Sequence, residues 1–492
     1  MKSDKIIAQS VLLVTLVCLC ACNDFIDINE DPTSPTAVPE NLQLPAILGN
    51  FSYEIIANEP ARTGTQWIQQ TAWSGIPPSE DNYDVNSSDV DNLWNASYID
   101  VMNNARELDG LATENGNHAY AGIAKVILAW NLSILTDLWG DIPYSEAFDT
   151  NNPTPAYDSQ EEIYTAIFGL LNDALADFDE PDGVMEPGID DLLYGGDMGK
   201  WEKLTYTLIA RFSLRLSNAP GYDANEQAQA ALNALQNGFA GNDDDADFQY
   251  YNVPGEENPW YQFAIDSKWD TRNQLSAYYV DLLTSLNDPR LPVQARPAGA
   301  VDTNGLVAGF DDSDPEYKGH ENGEQGQGAA AYSSFGSFYS APGAPVNWIS
   351  YAEAKFIEAE ATWMVSGADA AQPVYEEAIS ASMDKLQVED SDAAAYIASL
   401  PGLTASGNPL KEIITQKYIA NFLKFEPYND WRRTGYPEIE PISNNPRTPS
   451  GAIPVRFPYP DSELQNNAGN VSATGVPGGF PALEVPVWWD TD

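Results

Sequence analysis

Apolar residues in this chain recur three and four positions apart in most segments, and almost nowhere do they alternate. That spacing admits helices and leaves little for a sheet. Asp158-Ser159-Gln160-Glu161-Glu162 reads as a helix start, a capping residue followed by acids over the positive end. Ile163, Ile167, Leu170, Leu171 and Ala174 then share one face. Leu204, Leu208 and Phe212 do the same within Trp201 to Leu216. The stretch Ala119 to Leu138 is apolar and Ala-rich, a helix expected to be buried on most sides, and Gly140 and Pro143 stop it.

The helical segments come in pairs. Further helices are predicted over Leu48 to Trp73 with a break near Pro60, and over Asp91 to Leu111, Glu226 to Leu235 and Ala277 to Leu286. Ser350 to Trp363 and Ala371 to Leu386 form another pair, rich in small residues and similar to a tetratricopeptide unit. Leu410 to Phe425 is the last long helix expected. Trp73 to Asn86, Tyr250 to Trp269, residues 292–345 and residues 437–492 carry Gly, Pro, Asn and Asp in place of periodicity, so they read as loops. The expected fold class is therefore all-α dominated: a tetratricopeptide-like helix-pair scaffold with a long, loop-rich, irregular subdomain for a ligand.

All 3 cysteines, Cys18, Cys20 and Cys22, fall at the start of the chain. Nothing beyond them can form a disulfide or a cysteine-based zinc site. Lys2 and Lys5 precede a short apolar run from Val11 to Leu19, which describes an export signal too short to span a bilayer comfortably. The ending Leu19-Cys20-Ala21-Cys22 resembles a lipobox, with Cys22 as the residue that carries lipid; Cys20 departs from its usual pattern. Residues 1–21 are expected to be the signal, 22–45 a lipidated N-terminus and extended tether with Pro32, Pro35, Pro39 and Pro45, and 46–492 the helical domain.

The net charge is −50, from 73 Asp+Glu against 23 Lys+Arg. Such a field repels nucleic acid and anionic lipid, and it is best tolerated where salt screens it. The Asp243, Asp244, Asp245 and Asp247 run offers oxygen ligands to calcium but lacks the EF-hand order, so it reads as a solvated acidic turn. No metal site and no cofactor is expected. Lys411, Lys417, Lys424, Arg432 and Arg433 form the basic cluster, expected to pair internally.

Six stretches in collinear order then carry a resemblance. They are Asp24 to Pro32, Leu135 to Tyr144 (with Trp139-Gly140-Asp141-Ile142-Pro143-Tyr144), Tyr157 to Tyr164, Leu193 to Asp197, Ser285 to Pro292 and Trp431 to Pro437. Together they resemble the SusD/RagB family of nutrient-binding outer-membrane lipoproteins of Bacteroidota. Asn23-Asp24, after Cys22, resemble the surface-export signals of such lipoproteins. The resemblance implies a lipid-anchored protein facing the cell surface. It would capture glycan oligomers, or in some members peptides, and hand them to a SusC-like TonB-dependent transporter. It implies no covalent chemistry.

The residues agree with binding over catalysis. Only His118 and His320 are available as imidazole bases, and neither stands in a pattern that would orient it. Carboxylate pairs are too abundant here to mark a glycosidase, so an anchored glycan-degrading enzyme stays as the alternative. Sugar rings lay their apolar faces on aromatic side chains. The two irregular stretches that carry aromatics supply Trp73, Tyr83, Trp260, Tyr261 and Trp269 as ligand-binding candidates; each could instead pack its own loop. Trp94, Trp130 and Trp363 sit on helical faces and read as core.

Overall fold

A computed structural model of the chain describes residues 38–181 and 183–490. The export signal and Cys22 lie outside the described residues. The longer helices are Glu40–Asn50 (α1), Glu59–Trp67 (α2), Asn104–Asn115 (α3), His118–Trp139 (α4), Gln160–Asp179 (α5), Met198–Arg215 (α6) and Ala224–Leu235 (α7). Ala277–Leu286 (α8), Tyr351–Ser366 (α9), Ala368–Lys385 (α10), Asp390–Ser399 (α11), Pro409–Ala420 (α12) and Glu426–Thr434 (α13) follow. Among the described residues strands are two or three residues long and form two-stranded pairs.

The expected pairing of helices is present. α3 packs on α4, α4 on α5, α6 on α7 and α9 on α10, with α7 closing against α9. α4 is long and apolar enough to cross a membrane by length alone, yet 94% of its apolar window is buried inside the protein. It is the central helix of the stack. Of the residues that open the predicted start at Asp158 to Glu162, Ser159 is the cap of α5: its Oγ accepts from the Glu162 amide, and the Glu162 carboxylate accepts from the Ser159 amide at 2.9 Å.

Three expectations need correction. Residues 40–45 are helix, not tether: Pro39 precedes α1, which buries Leu44, Ile47 and Leu48. Glu40 holds that end in place, its carboxylate accepting from Asn115 at 2.7 Å and Asn117 at 2.8 Å. The last helix does not run to Phe425. Leu423 has φ of 64° and ends the run, and Glu426-Pro427 opens α13 with proline in the first turn, where its missing N–H is harmless. The acidic turn is not fully solvated, since Asp244 and Asp245 are buried and pair with Lys203 at 2.8 Å and Lys385 at 2.6 Å. Among the described residues no group of three or more potential metal ligands occurs.

Of the stretches that carried the resemblance, Asp24 to Pro32 lies outside the described residues, and Leu135 to Tyr144, Tyr157 to Tyr164 and Trp431 to Pro437 act as internal joints. Asp137 is fully enclosed at the end of α4. It accepts from Arg215, from the Tyr164 hydroxyl at 2.6 Å and from the Trp489 indole at 2.7 Å. Arg432 donates to the Asp137 carbonyl at 2.6 Å, and Arg433 binds Glu360 at 2.5 Å. Lys417 meets Asp430 at 2.9 Å and Lys424 stands 3.7 Å from Glu353, so most of the basic cluster pairs internally; Arg432 bonds to the Asp137 and Val455 carbonyls and to the Asn429 amide oxygen, and Lys411 reaches Glu438 near the surface. Gly140, at φ 74° and ψ −118°, makes the turn that a side chain would strain. The C-terminal strap then seats Trp489, wholly buried, against α4 and α6. An edge-to-face chain Trp94–Trp139–Phe457–Trp67–Tyr428, with centroids 5.1 to 5.6 Å apart, shows where many of the aromatics go.

Among the described residues seven Arg and Lys side chains are buried in such joints, leaving few cations to balance the surface acids. Screening should therefore stabilise the fold. Raising NaCl from about 0.1 M to about 1 M is expected to raise the melting temperature; a melting temperature that falls or stays level would contradict self-repulsion as a dominant surface force.

Candidate ligand-binding groove

The two aromatic stretches are far apart in sequence and adjacent in space. Thr71–Trp73 (β1) pairs antiparallel with Asn273–Leu275 (β2), and the register Trp73↔Asn273 joins the loops that follow and precede them. The Ser74 amide continues the ladder onto the Arg272 carbonyl at 2.8 Å. Beside this join opens a groove of about 1090 Å³. One wall comes from the end of the π-helical stretch Phe51–Ile56 and the start of α2, the other from residues 78–100. Phe263 and Trp269 close it from the second loop.

The five sequence candidates separate here. Trp269 lines the groove and is 60% exposed, a large flat ring offered to solvent. Tyr83 does not reach it: the ring is 1% exposed and its hydroxyl accepts from the Ile442 amide at 3.0 Å. Trp260 is likewise interior, set edge-on to Phe335 at 5.7 Å. Both expectations are corrected by burial: no sugar face can reach rings enclosed in the core. Trp73 is half-buried. The Arg272 guanidinium covers its ring at 4.7 Å, and a side chain at Gly75 would collide with the same ring at 2.1 Å. Tyr261 is half-buried in the short helix Pro259–Ala264, outside the groove lining.

Other groove residues lay in segments the periodicity assigned to helix. Tyr53 donates to Gln262 at 2.7 Å and sits 6.4 Å from the Phe263 ring. Arg62 lies over Phe263 at 4.5 Å, donates to Asn58 at 3.2 Å and stands 3.9 Å from Glu80. Asn58 in turn donates to Glu54 at 3.0 Å. Asn86, Asn92 and Asn95 add amides along the far wall. An aromatic rim over amides and carboxylates suits a polyhydroxylated ligand: the ring covers C–H faces, and the polar groups take hydroxyls. The available signal was the Asn58-Glu59-Pro60 helix break, which faces polar groups into the groove.

Glu59 is the first residue of α2, and its carboxyl makes no hydrogen bond or ion pair among the described residues. Burial pushes its pKa up, Arg62 pulls it down, and Glu80, Asp89 and Glu54 raise it again, leaving it at about 8. The unfolded value is near 4.5. Between these, the folded chain holds a proton that the unfolded chain releases. That contribution is complete below 4.5 and is lost as pH rises through about 8. Glu59→Gln is thus expected to raise the melting temperature at about pH 9 and leave it unchanged near pH 4. A gain of equal size at both pH values would contradict the raised pKa of this carboxyl.

Residues 35–460 match the family model of SusD-like proteins, described as starch-binding and associating with the outer membrane. The fold is similar to a chitin-binding protein at 26% identity and TM-score 0.77, covering 92% of this chain and 100% of that one. It is also similar to a SusD/RagB family protein from Bacteroides thetaiotaomicron, at 26% identity and TM-score 0.78, covering 92% and 99%. A chitin-binding SusD homolog from Flavobacterium johnsoniae shares the fold at 24% identity and TM-score 0.73, covering 92% and 98%. No curated protein matches in sequence.

Proposed function

Because the chain belongs to the SusD-like family of starch-binding proteins that associate with the outer membrane, we propose that it captures oligosaccharides in the Trp269 groove. On this reading it is a lipoprotein anchored through Cys22, facing the cell surface, and it passes its ligand to a SusC-like TonB-dependent transporter without cleaving it. The observation that carries the reading is the exposed Trp269 ring at the rim of a large groove whose other walls are mostly amide and carboxylate.

A second reading keeps one specific observation. A carboxyl held protonated near neutral pH among further carboxylates, as Glu59 is, is also what a glycosidase needs of its general acid. One experiment separates the two. The full-length chain is run through native gels containing starch, chitin derivatives and other neutral polysaccharides, and the same mixtures are assayed for new reducing ends. Retardation without reducing ends is expected. Release of reducing ends that Glu59→Gln abolishes would replace capture by hydrolysis. Retardation by none of the polysaccharides, with binding of peptides instead, would move the ligand to the other class that such scaffolds serve.

A further inference from the structure

We propose that Arg296 and Ser334 form a binding site for an oxyanion, a carboxylate or a sulfate group, within the loop-rich segment 292–345. The short strand Ala295–Arg296 pairs antiparallel with Ser334–Phe335, in the register Ala295↔Phe335 and Arg296↔Ser334. Residues directly opposite in such a ladder project from the same face, with Cβ atoms about 5 Å apart. Ala295 and Phe335 take the other face, and both are buried. Phe335 packs edge-on against Trp260 at 5.7 Å and Phe422 at 6.1 Å. The backbone on either side is tied down as well. The Leu275 amide donates to the Ser333 carbonyl at 2.9 Å, and the Gly336 amide donates to the Gln294 carbonyl at 2.9 Å. Arg296 and Ser334 are thus set side by side by backbone bonds and by the core packing of their neighbours.

Both side chains lack a partner. Among the described residues every other arginine meets a carboxylate, a backbone carbonyl or an aromatic ring. The half-buried Arg296 side chain meets none of these, and its Nε is buried without a hydrogen bond. Burial pulls its pKa below the usual arginine value, with no carboxylate near enough to restore it. Across the ladder Ser334 is 1% exposed, and its Oγ has no hydrogen-bond partner either. Neighbouring hydroxyls are engaged: the Ser333 Oγ accepts from the Lys318 amide at 3.0 Å, and the Ser340 Oγ donates to the Phe335 carbonyl at 2.9 Å.

Withdrawing a cation or a hydroxyl from water without a partner is unfavourable. The chemistry of the two groups says what would relieve it. A guanidinium is a planar fork of N–H donors that matches two oxygens of a carboxylate or sulfate, and a serine hydroxyl adds one more donor. A cationic ligand would be repelled by Arg296. A neutral one would leave its charge uncompensated. In a chain with 73 Asp+Glu against 23 Lys+Arg, an arginine without an acid of its own is set apart from the rest. Neither residue lines the Trp269 groove, so this site stands or falls separately from glycan capture there.

The test is calorimetric titration of the full-length chain at a constant ionic strength of about 0.2 M, set with NaCl so that screening is equal throughout. The probes are sodium sulfate, sodium acetate, sodium glucuronate and glucose, each in the low millimolar range. At least one oxyanion is expected to bind saturably, and glucose is not. Arg296→Gln should weaken that binding about tenfold or more, and Ser334→Ala about threefold or more. Ser334→Ala leaves Arg296 and the ladder in place, so a loss of binding there does not come from a loss of fold. Arg106→Gln removes the same charge at an exposed position over Phe148 and should leave binding unchanged.

Tighter binding of glucuronate than of acetate would support the site with the oxyanion carried on a sugar. Equal binding of all three salts would support it with a free ion as the ligand. Saturable binding of none of them would overturn the proposal. So would equal weakening by Arg296→Gln and Arg106→Gln, because the chain-wide charge would then be the source of the effect.

Discussion

Trp269→Ala is expected to weaken polysaccharide binding by about ten- to a hundredfold without destabilising the protein. The ring is 60% exposed, so its removal opens no core cavity and should shift stability by no more than about 0.5 kcal/mol. A ligand stacked on it hides about half of the area of a Trp side chain, on the order of 100 Å². At about 25 cal/mol per Å² that burial contributes roughly 1.5–3 kcal/mol to binding. Phe263 and Tyr53 are tied into the groove wall by Arg62 and Gln262 and cannot swing out to replace it. Trp73→Ala should behave in the opposite way, since its ring packs beneath Arg272 and over Gly75. The change there should appear in the melting temperature before it appears in the affinity. Equal binding by Trp269→Ala and wild type would remove the groove from the account of function.

Asp137→Ala is expected to be among the most damaging single substitutions in the chain. Asp137 is buried and takes hydrogen bonds from Arg215, Tyr164 and Trp489, which belong to α6, α5 and the C-terminal strap. Its loss leaves a buried hydroxyl and a buried indole N–H unpartnered, and leaves Arg215 with Glu426 alone. Breaking a buried ion pair by removing one partner costs about 3–5 kcal/mol. That is a large part of a total stability of roughly 5–15 kcal/mol. In urea the midpoint should fall by about 1 M or more. A fall below about 0.3 M would show that the network is replaceable by water or by rearrangement. The same cluster sets an acid limit. Burial opposes charge on Glu426, but Arg215, Arg211 and Lys417 outweigh it and hold its pKa well below the usual 4.5. Its contribution is therefore complete above 4.5 and is lost as pH falls toward the folded value.

The scaffold was legible because helices announce themselves locally. Asp158 to Glu162 reads as a capping residue followed by acids, and Ile163, Ile167, Leu171 and Ala174 fall on a buried face as their spacing required. The paired helices α9 and α10 follow from small residues that let backbones approach. Where two rules competed, the reading slipped. Prolines at 39 and 45 suggested extended chain, but Leu44, Ile47 and Leu48 bury one face of a helix, and that burial prevailed. Asn421 and Leu423 interrupt what looked like one long helix, and only the backbone shows that Glu426-Pro427 starts another. The site was less legible. Aromatics in irregular segments look alike in sequence, whether they face solvent, as Trp269 does, or the core, as Tyr83 and Trp260 do. What separates them is long-range: β1 meeting β2 across the chain, and the C-terminal segment that offers the Ile442 amide to Tyr83. The groove acids were hidden in the same way, because 73 Asp+Glu give no reason to single out Glu59 until its lack of a partner is seen.

The most direct test of glycan capture is a crystal structure of the full chain soaked with an oligomer of whichever polysaccharide retards it in gels. The expected result is sugar density stacked on Trp269, with hydroxyls within hydrogen-bond reach of the groove amides and carboxylates. Ordered sugar bound elsewhere, with the Trp269 face bare, would contradict it.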